Sequence, residues 1–594
     1  MSTKGDSALA SLATREDLQS YGSNAIALFA LELRFDLDDL QTVADEALTD
    51  DTLDHKCDLL FIDRERGVTV IAQAYTADDP SKPEPPANKA ADLNTALTWI
   101  LDGDVPDAQL GDKLRSAASD LRMALDDGEM SVIEIWFVHN LSESANVNQE
   151  LRQVEKSAAA LIGHHFPDRT EQIEVRALQV SRERLATWYR ATATPILVTD
   201  QLEVPAKSGH FSEEGEGWSA ICTSVPASWL HKLHDDYDDE LFSANVRGPI
   251  PSRRSKGNIN FTIGETAQEL PQRFWAYNNG VTALVNDLNI DENSGVIKIT
   301  GIAIVNGAQT TGALARVPIA DLSQVGVLTR FVKSTDPQII DDIIRFNNSQ
   351  NPIRPSDFRS RDPHQGRLRD EFAVLPDVTY LGARRGGQSD AAKKPSNYIS
   401  SDTAAQALAA VHQEPVTAYH DLRLIWERDE LYATFFGDHT SATHTVFCFA
   451  LLRSVQDMKS SLVSRESHLT ANETDALSFL RKRGATFLLV AAIASTLDTV
   501  LSKPIASLYR LSFGPTVSPA TAVGLWKPIV SSLGAFAGGL DEGDSSTAIR
   551  RGENPTARIV AFQRTVAAVK EPLQPTFQTF AMHVVEDDPP SAPA

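Results

Sequence analysis

The hydrophobic pattern changes along this chain, and that change restricts its fold more than any other feature. Short strand-like apolar runs alternate with helical stretches through the first two thirds, whereas the last third repeats at helical spacing. Residues 19–35 carry Ala25, Leu28, Phe29, Leu31 and Leu33 on one face and predict an amphipathic helix. Residues 57–62 and 68–74 flank an Arg66–Gly67 turn and predict a β-hairpin. A Pro- and Lys-rich loop at 78–88 follows, then helices at 89–100 and 112–125 and a strand at 132–138. Strand, helix and strand are expected within 175–199, with a polar surface loop at 208–217. Strands at 296–305 and 325–332 alternate with helices at 228–242 and 337–347. Helices at 403–411, 442–462 and 475–501 complete the pattern.

A chain of 594 residues is too long for one hydrophobic core. The expected architecture is a multidomain α/β protein: an α/β domain at 1–180, a mixed α+β domain at 181–395, a mostly α-helical region at 396–575 and a disordered tail at 576–594. Lys plus Arg is 55 against 80 for Asp plus Glu, a net charge of −25, which argues against a surface-wide nucleic-acid or membrane footprint but leaves room for a local basic groove. The three cysteines, Cys57, Cys222 and Cys448, are too few and too scattered for a disulfide framework or a zinc cluster. They read as buried thiols in a reducing compartment. With a polar N-terminus and a longest apolar run, 485–496, too short to span a bilayer, the expectation is a cytoplasmic protein with no membrane partner.

The middle third carries four motifs: LFSANVRGPI (241–250), RFWAYNNGVTAL (273–284), IVNGAQTTGAL (304–314) and IIRFNNSQNPIRPSDFRSRDPHQGRLRDEF (343–372). Asn278, Asn279, Gly280, Asn306 and Gly307 are turn formers beside apolar strands, and one reading is a set of hairpin turns. A second reading gathers Asn245, Asn278, Asn279, Asn306, Gln309, Thr310, Thr311, Asn347, Asn348, Gln350 and Asn351 into one polar site, a structural network or a pocket whose amides pair with base edges. Arg247, Arg253 and Arg254 form one basic group, and Arg354, Arg359 and Arg361 belong to another. They suit phosphate contacts, or ion pairs with Asp357, Asp362, Asp370 and Glu371.

In order, spacing and wording these motifs resemble the AIPR (abortive infection phage resistance) family, most strongly over residues 241–387. The resemblance implies bacterial anti-phage defence, with nucleic acid and other defence-system subunits as partners. It also implies an N-terminal domain similar to the PD-(D/E)xK restriction-endonuclease-like fold. In that fold carboxylates hold Mg²⁺ and a lysine stabilises developing charge. Asp58 and Gln73 stand where the acid and the Gln of a Q-x-K variant belong, and Glu32 would add a second carboxylate to the metal set with Asp58. The expected lysine is Tyr75, which carries no positive charge at neutral pH. Either Lys89 supplies the amine from the next helix, giving a Mg²⁺-dependent endodeoxyribonuclease, or the domain survives as a sensor or scaffold without cleavage.

No phosphate-binding G-x-x-x-x-G-K-[ST] loop, G-x-S-x-G elbow or H-E-x-x-H helix occurs. His164–His165 and His439/His444 lack metal-ligand spacing, and the acidic run 235–240 reads as a solvated helix end. The helical region could supply a homodimer interface.

Overall fold

The computed structural model describes residues 6–37, 39–49, 53–79, 82, 84–102, 110–207, 209–245, 259–291, 296–347, 359, 362–381, 397–543 and 545–586. The first unit is built on a four-stranded sheet, β1 (Leu59–Asp63), β2 (Val68–Tyr75), β3 (Val132–His139) and β4 (Glu174–Val180), in that order. β1 and β2 form the antiparallel hairpin expected from the sequence, while β3 and β4 add in parallel. All eight residues of β3 are buried, as both faces of a parallel sheet must be. On one face Val68, Val70 and Ala72 pack against the Ala25–Phe35 and Arg182–Ala191 helices. On the other, Leu60, Ile71, Ile135 and Phe137 pack against Leu93–Leu101, Asp112–Asp126 and Ala145–His165.

The second unit is a mixed seven-stranded sheet made of β5 (Val198–Val204), β6 (Phe211–Gly215), β7 (Trp218–Pro226), β8 (Val281–Val285), β9 (Asp287–Ile290), β10 (Ile297–Asn306) and β11 (Gly326–Ser334). The strand order is β5-β10-β8-β11-β7-β6, with β9 paired to β10, and β8 and β11 are parallel. The expected surface loop at 208–217 is instead largely strand β6, an edge strand with five exposed residues, so its polarity marks a sheet edge rather than a loop. One face of this sheet is buried under the Ala227–Tyr237 and Ala308–Ala315 helices. A smaller apolar cluster on the other face takes the Pro337–Asn347 helix.

The third unit is helical, around a single large core running from Leu368 to Phe580. The helix expected at 475–501 is broken into Ala471–Leu480, Ala485–Ala494 and Leu497–Val500, with Gly484 at φ 75° between the first two. Residues 576–586, expected to be disordered, are structured. The Lys570–Ala581 helix buries Phe577 and Phe580 in the core, and Val585–Glu586 pairs with Leu511–Ser512. Residues 587–594 lie outside the described residues. Among the described residues no helix is long and apolar enough to cross a membrane.

The first unit is locked to the helical unit through buried polar groups. Asp39 pairs with Arg453 at 2.7 Å and accepts from Thr403 at 2.8 Å, and Asp45 pairs with Lys459 at 2.9 Å. Asp120 accepts from Arg64 at 2.5 Å and from Tyr419 at 2.8 Å, and the Arg483 guanidinium donates to the Leu60 carbonyl at 2.7 Å. Burial pushes the Asp39 carboxyl up, but the Arg453 guanidinium outweighs it and holds the group below its ordinary value.

A cavity of about 610 Å³ between these units is lined by Glu46 among others. The Glu46 Oε1 is sealed from solvent and, among the described residues, has no hydrogen-bond partner. Burial raises this carboxyl to about 7; Lys459 opposes the shift and Asp45 adds to it. The folded state therefore binds a proton that the unfolded chain releases near pH 4.5. The stability this contributes is complete below that pH and is lost as pH rises toward 7. Glu46→Gln should flatten this decline, worth about 1–3 kcal/mol between pH 5 and 8. Urea midpoints of the wild type and Glu46→Gln at both pH values measure it, and parallel declines would refute the assignment.

Candidate functional site

Asp58 precedes β1, and its carboxylate accepts the Ala74 N–H at 2.7 Å, tying it to the end of β2. Gln73 lies between Ile71 and Tyr75 on the β2 face that packs on the Ala145–His165 side of the sheet. It is 4% exposed, and among the described residues its Oε1 has no hydrogen-bond partner. Glu32 is elsewhere. Its helix covers the opposite face of the sheet, and its carboxylate pairs with Arg15 at 2.7 Å. A one-residue alternation along β2 separates the two: Ala72 and Ala74 face the Glu32 helix, whereas Gln73 and Tyr75 face away. The Glu32 helix and Gln73 thus lie against opposite faces of the sheet. Lys89 sits on the short Ala87–Ala91 helix, which packs on β2 and on Ala145–His165.

The structure adds neighbours that the sequence reading missed. In register across the sheet, Tyr75 stands beside His139, and Gln73 beside Phe137 and then Gln179. With the Gln179 amide oriented by its network, its oxygen accepts from His139 Nε2 and from the Ser144 N–H, both at 2.9 Å. Its nitrogen donates to Asn148 Oδ1 at 2.9 Å. Burial pushes His139 down to about 4, so the ring is neutral, and its Nδ1 accepts the Leu141 N–H. This network is closed. What remains of the expected metal set is one carboxylate, Asp58, and one amide oxygen, Gln73. Mg²⁺ is commonly held by one or two carboxylates, with water and substrate phosphates completing its octahedron, so Asp58 alone would supply the charged protein ligand of such a site.

The second sheet gathers the motifs more tightly. Direct register pairs run Phe211–Cys222, Cys222–Arg330, Arg330–Thr282 and Thr282–Asn306, a row across five strands. Paired residues share a sheet face. Arg330 is exposed, and its guanidinium donates to Thr282 Oγ1 at 3.2 Å and to Asn347 Oδ1 at 2.7 Å. Two of the four motifs thereby meet at Arg330, a residue outside all of them, and Asn306 of a third lies one strand further along the row. Its period-two position in β11 was the only sequence signal available. Leu328 and Gly326 continue the same face of β11, and Trp275 lies over Gly326. Phe211, Trp275 and Tyr277 are 56%, 50% and 63% exposed.

The other candidates resolve differently. The Asn278 side-chain oxygen accepts the Gly280 N–H at 2.9 Å, and its amide donates to Thr310 at 3.2 Å. Asn278–Gly280 joins the Phe274–Tyr277 helix to β8, and Asn306–Gly307 joins β10 to the Ala308–Ala315 helix; neither is the expected hairpin turn. Asn279 is exposed and Gln309 half-buried. Arg359 is not a free phosphate ligand, because it donates to the Trp426 carbonyl at 3.0 Å, pairs with Asp429 at 2.5 Å and lies 4.4 Å from the Tyr432 ring centre. Arg247, Arg253, Arg254, Arg354 and Arg361 lie outside the described residues.

Residues 242–497 match the model of a protein family described as AIPR protein. The match spans most of the second sheet's later strands and the first half of the helical unit. No curated protein and no solved structure matches the chain.

Proposed function

We propose, with the AIPR match as premise, that this chain acts in abortive-infection phage defence by engaging nucleic acid on the second sheet, along the exposed row beside the Pro337–Asn347 helix, without hydrolysing it in the first. The observation that carries this reading is the row Phe211–Cys222–Arg330–Thr282–Asn306. It sets an exposed aromatic ring, an exposed guanidinium and side-chain hydroxyl and amide groups along one strand-crossing line. Aromatic rings stack on bases and arginine pairs with phosphate, which is how sheets commonly hold single strands. The net charge of −25 fits a local contact of this kind better than a basic surface.

Fluorescence anisotropy with labelled single-stranded DNA and RNA tests the proposal. Arg330→Ala and Phe211→Ala should each weaken binding by about 1–3 kcal/mol, roughly five- to a hundred-fold. Bound strand should also shield the half-buried Cys222 from maleimide, whereas Cys57 and Cys448 are buried with or without it. Affinity indifferent to both substitutions would remove the proposal.

The absence of cleavage rests on Tyr75 in the lysine position and on Glu32 held by Arg15 across the sheet. Plasmid and single-stranded DNA should stay intact in Mg²⁺ or Mn²⁺. The packing of the Lys89 helix on β2 favours a second reading, an endonuclease using Asp58, Gln73 and Lys89. Metal-dependent cutting abolished by Asp58→Asn would establish it instead.

A further inference from the structure

Two histidines and a cysteine from two helices meet in the helical unit. His444 and Cys448 are one turn apart on the Ala442–Ser464 helix, so both point to the same side. His412 caps the end of Ser401–Val411 and turns its ring toward them. His412 Nε2 and His444 Nε2 are 2.9 Å apart, and Cys448 Sγ is 3.3 Å from His444 Nε2. The three ligand atoms all lie within 4.8 Å of one another, and no other such group of three occurs among the described residues. His444 and Cys448 are fully buried.

We propose that His412, His444 and Cys448 form a binding site for a thiophilic first-row metal ion, Zn²⁺ in the first instance. The orientation of His444 supports this. Its Nδ1 lies 2.9 Å from the Leu511 carbonyl and must carry the hydrogen, which leaves Nε2 as a bare lone pair facing His412 and Cys448. A backbone carbonyl fixing the far nitrogen is the usual support of a metal-bound imidazole. Without a metal, that single lone pair has two competing donors, the Cys448 thiol and the His412 N–H. With a metal, His412 loses its Nε2 hydrogen to Nδ1, Cys448 gives up its proton to solvent, and three lone pairs converge on the ion.

The spacing is close to what an ion needs. Zn–N of about 2.0–2.1 Å and Zn–S of about 2.3 Å in a tetrahedron give N–N and N–S edges of about 3.3 and 3.6 Å. The observed 2.9 and 3.3 Å ask each pair to open by a few tenths of an ångström. His412 is held ready by stacking on Tyr509, ring centres 3.7 Å apart, and Tyr509 is fixed by its hydroxyl donating to the Thr434 carbonyl at 2.6 Å. Three protein ligands leave a fourth position for water or another small donor.

The test is Co²⁺ titration of the untagged, chelator-treated full-length chain, read by absorption. The expected result is about one ion per chain, with the visible bands of a tetrahedral site and a near-ultraviolet thiolate-to-cobalt charge-transfer band. Cys448→Ser should lose the charge-transfer band, His412→Ala should weaken binding at least ten-fold, and Zn²⁺ should bleach the spectrum. Cu⁺ displacing Zn²⁺ at equal concentration would reassign the ion but keep the site. Circular dichroism identifies any variant that fails to fold, and the wild-type spectrum remains decisive by itself. A wild-type chain that binds no stoichiometric Co²⁺, or a charge-transfer band that survives Cys448→Ser, would overturn the proposal.

Discussion

Lys459→Met should destabilise the protein by about 3–5 kcal/mol, the cost of leaving a buried charge without its partner. The Lys459 ammonium donates to the Asp45 carboxylate at 2.9 Å and to the Asp45 backbone carbonyl at 2.7 Å, with both side chains 7% exposed. After the substitution Asp45 retains the Thr486 hydroxyl at 2.7 Å, but no cation sits against it at that distance. The Glu46 carboxyl beside it loses the cation that opposes its upward shift. Because these residues join the first unit to the helical unit, the loss should appear as early proteolysis at the junction as well as a lower urea midpoint. Lys459→Met combined with Asp45→Leu should recover much of the loss, since a well-packed apolar pair often matches a buried ion pair. A loss under about 1 kcal/mol would mean that the pair behaves as an exposed one.

Gly280→Ala is the second large effect. Gly280 has φ 78°, and a Cβ there would stand 2.2 Å from the Leu328 carbonyl oxygen and 3.0 Å from the Leu328 Cβ. Gly307, at φ 89°, is equally confined, with its Cβ position 2.6 Å from the Gly280 carbonyl. The two glycines abut where β8 runs beside β11, so neither backbone can give way without moving the strand that carries Arg330. The positive φ costs about 1 kcal/mol, and the backbone clash should bring the total to roughly 3 kcal/mol or more. Two controls come from the same motifs. Gly312, inside the Ala308–Ala315 helix, has nothing within 4 Å of its Cβ position, so Gly312→Ala should be neutral or stabilise by up to about 1 kcal/mol. Asn279 is exposed, and Asn279→Ala should change stability by less than about 0.5 kcal/mol. Thermal unfolding of the three variants separates these outcomes, and a Gly280→Ala protein as stable as Gly312→Ala would contradict the packing described.

What could be read in advance divides along physical lines. The hairpin of β1 and β2, the strand β3 and the helix–strand pair after β4 were legible because each is a local pattern of period two or 3.6 bounded by turn residues. The Ala145–His165 helix was equally legible from Val147, Leu151, Val154, Ala158 and Ile162, and was overlooked. The face carrying Glu32 was not legible, because it turns on which alternate residues of β2 meet which helix. Arg359 looked free because Trp426, Asp429 and Tyr432 lie about seventy residues further on. The same distance effect hid the metal cluster: His412 is 32 residues from His444, and only the packing of two helices brings them together. Arg330 was missed for the opposite reason, since a lone arginine in a strand carries no motif until register and a helix end place it between two.

The central claim, that the second sheet and not the first does the work, is tested most directly by phage plaque assays on bacteria expressing the chain. Protection should fall sharply with Arg330→Ala and persist with Asp58→Asn, a substitution that keeps an acceptor for the Ala74 N–H while removing the carboxylate charge. Protection lost with Asp58→Asn and retained with Arg330→Ala, in proteins of equal abundance, would contradict the account.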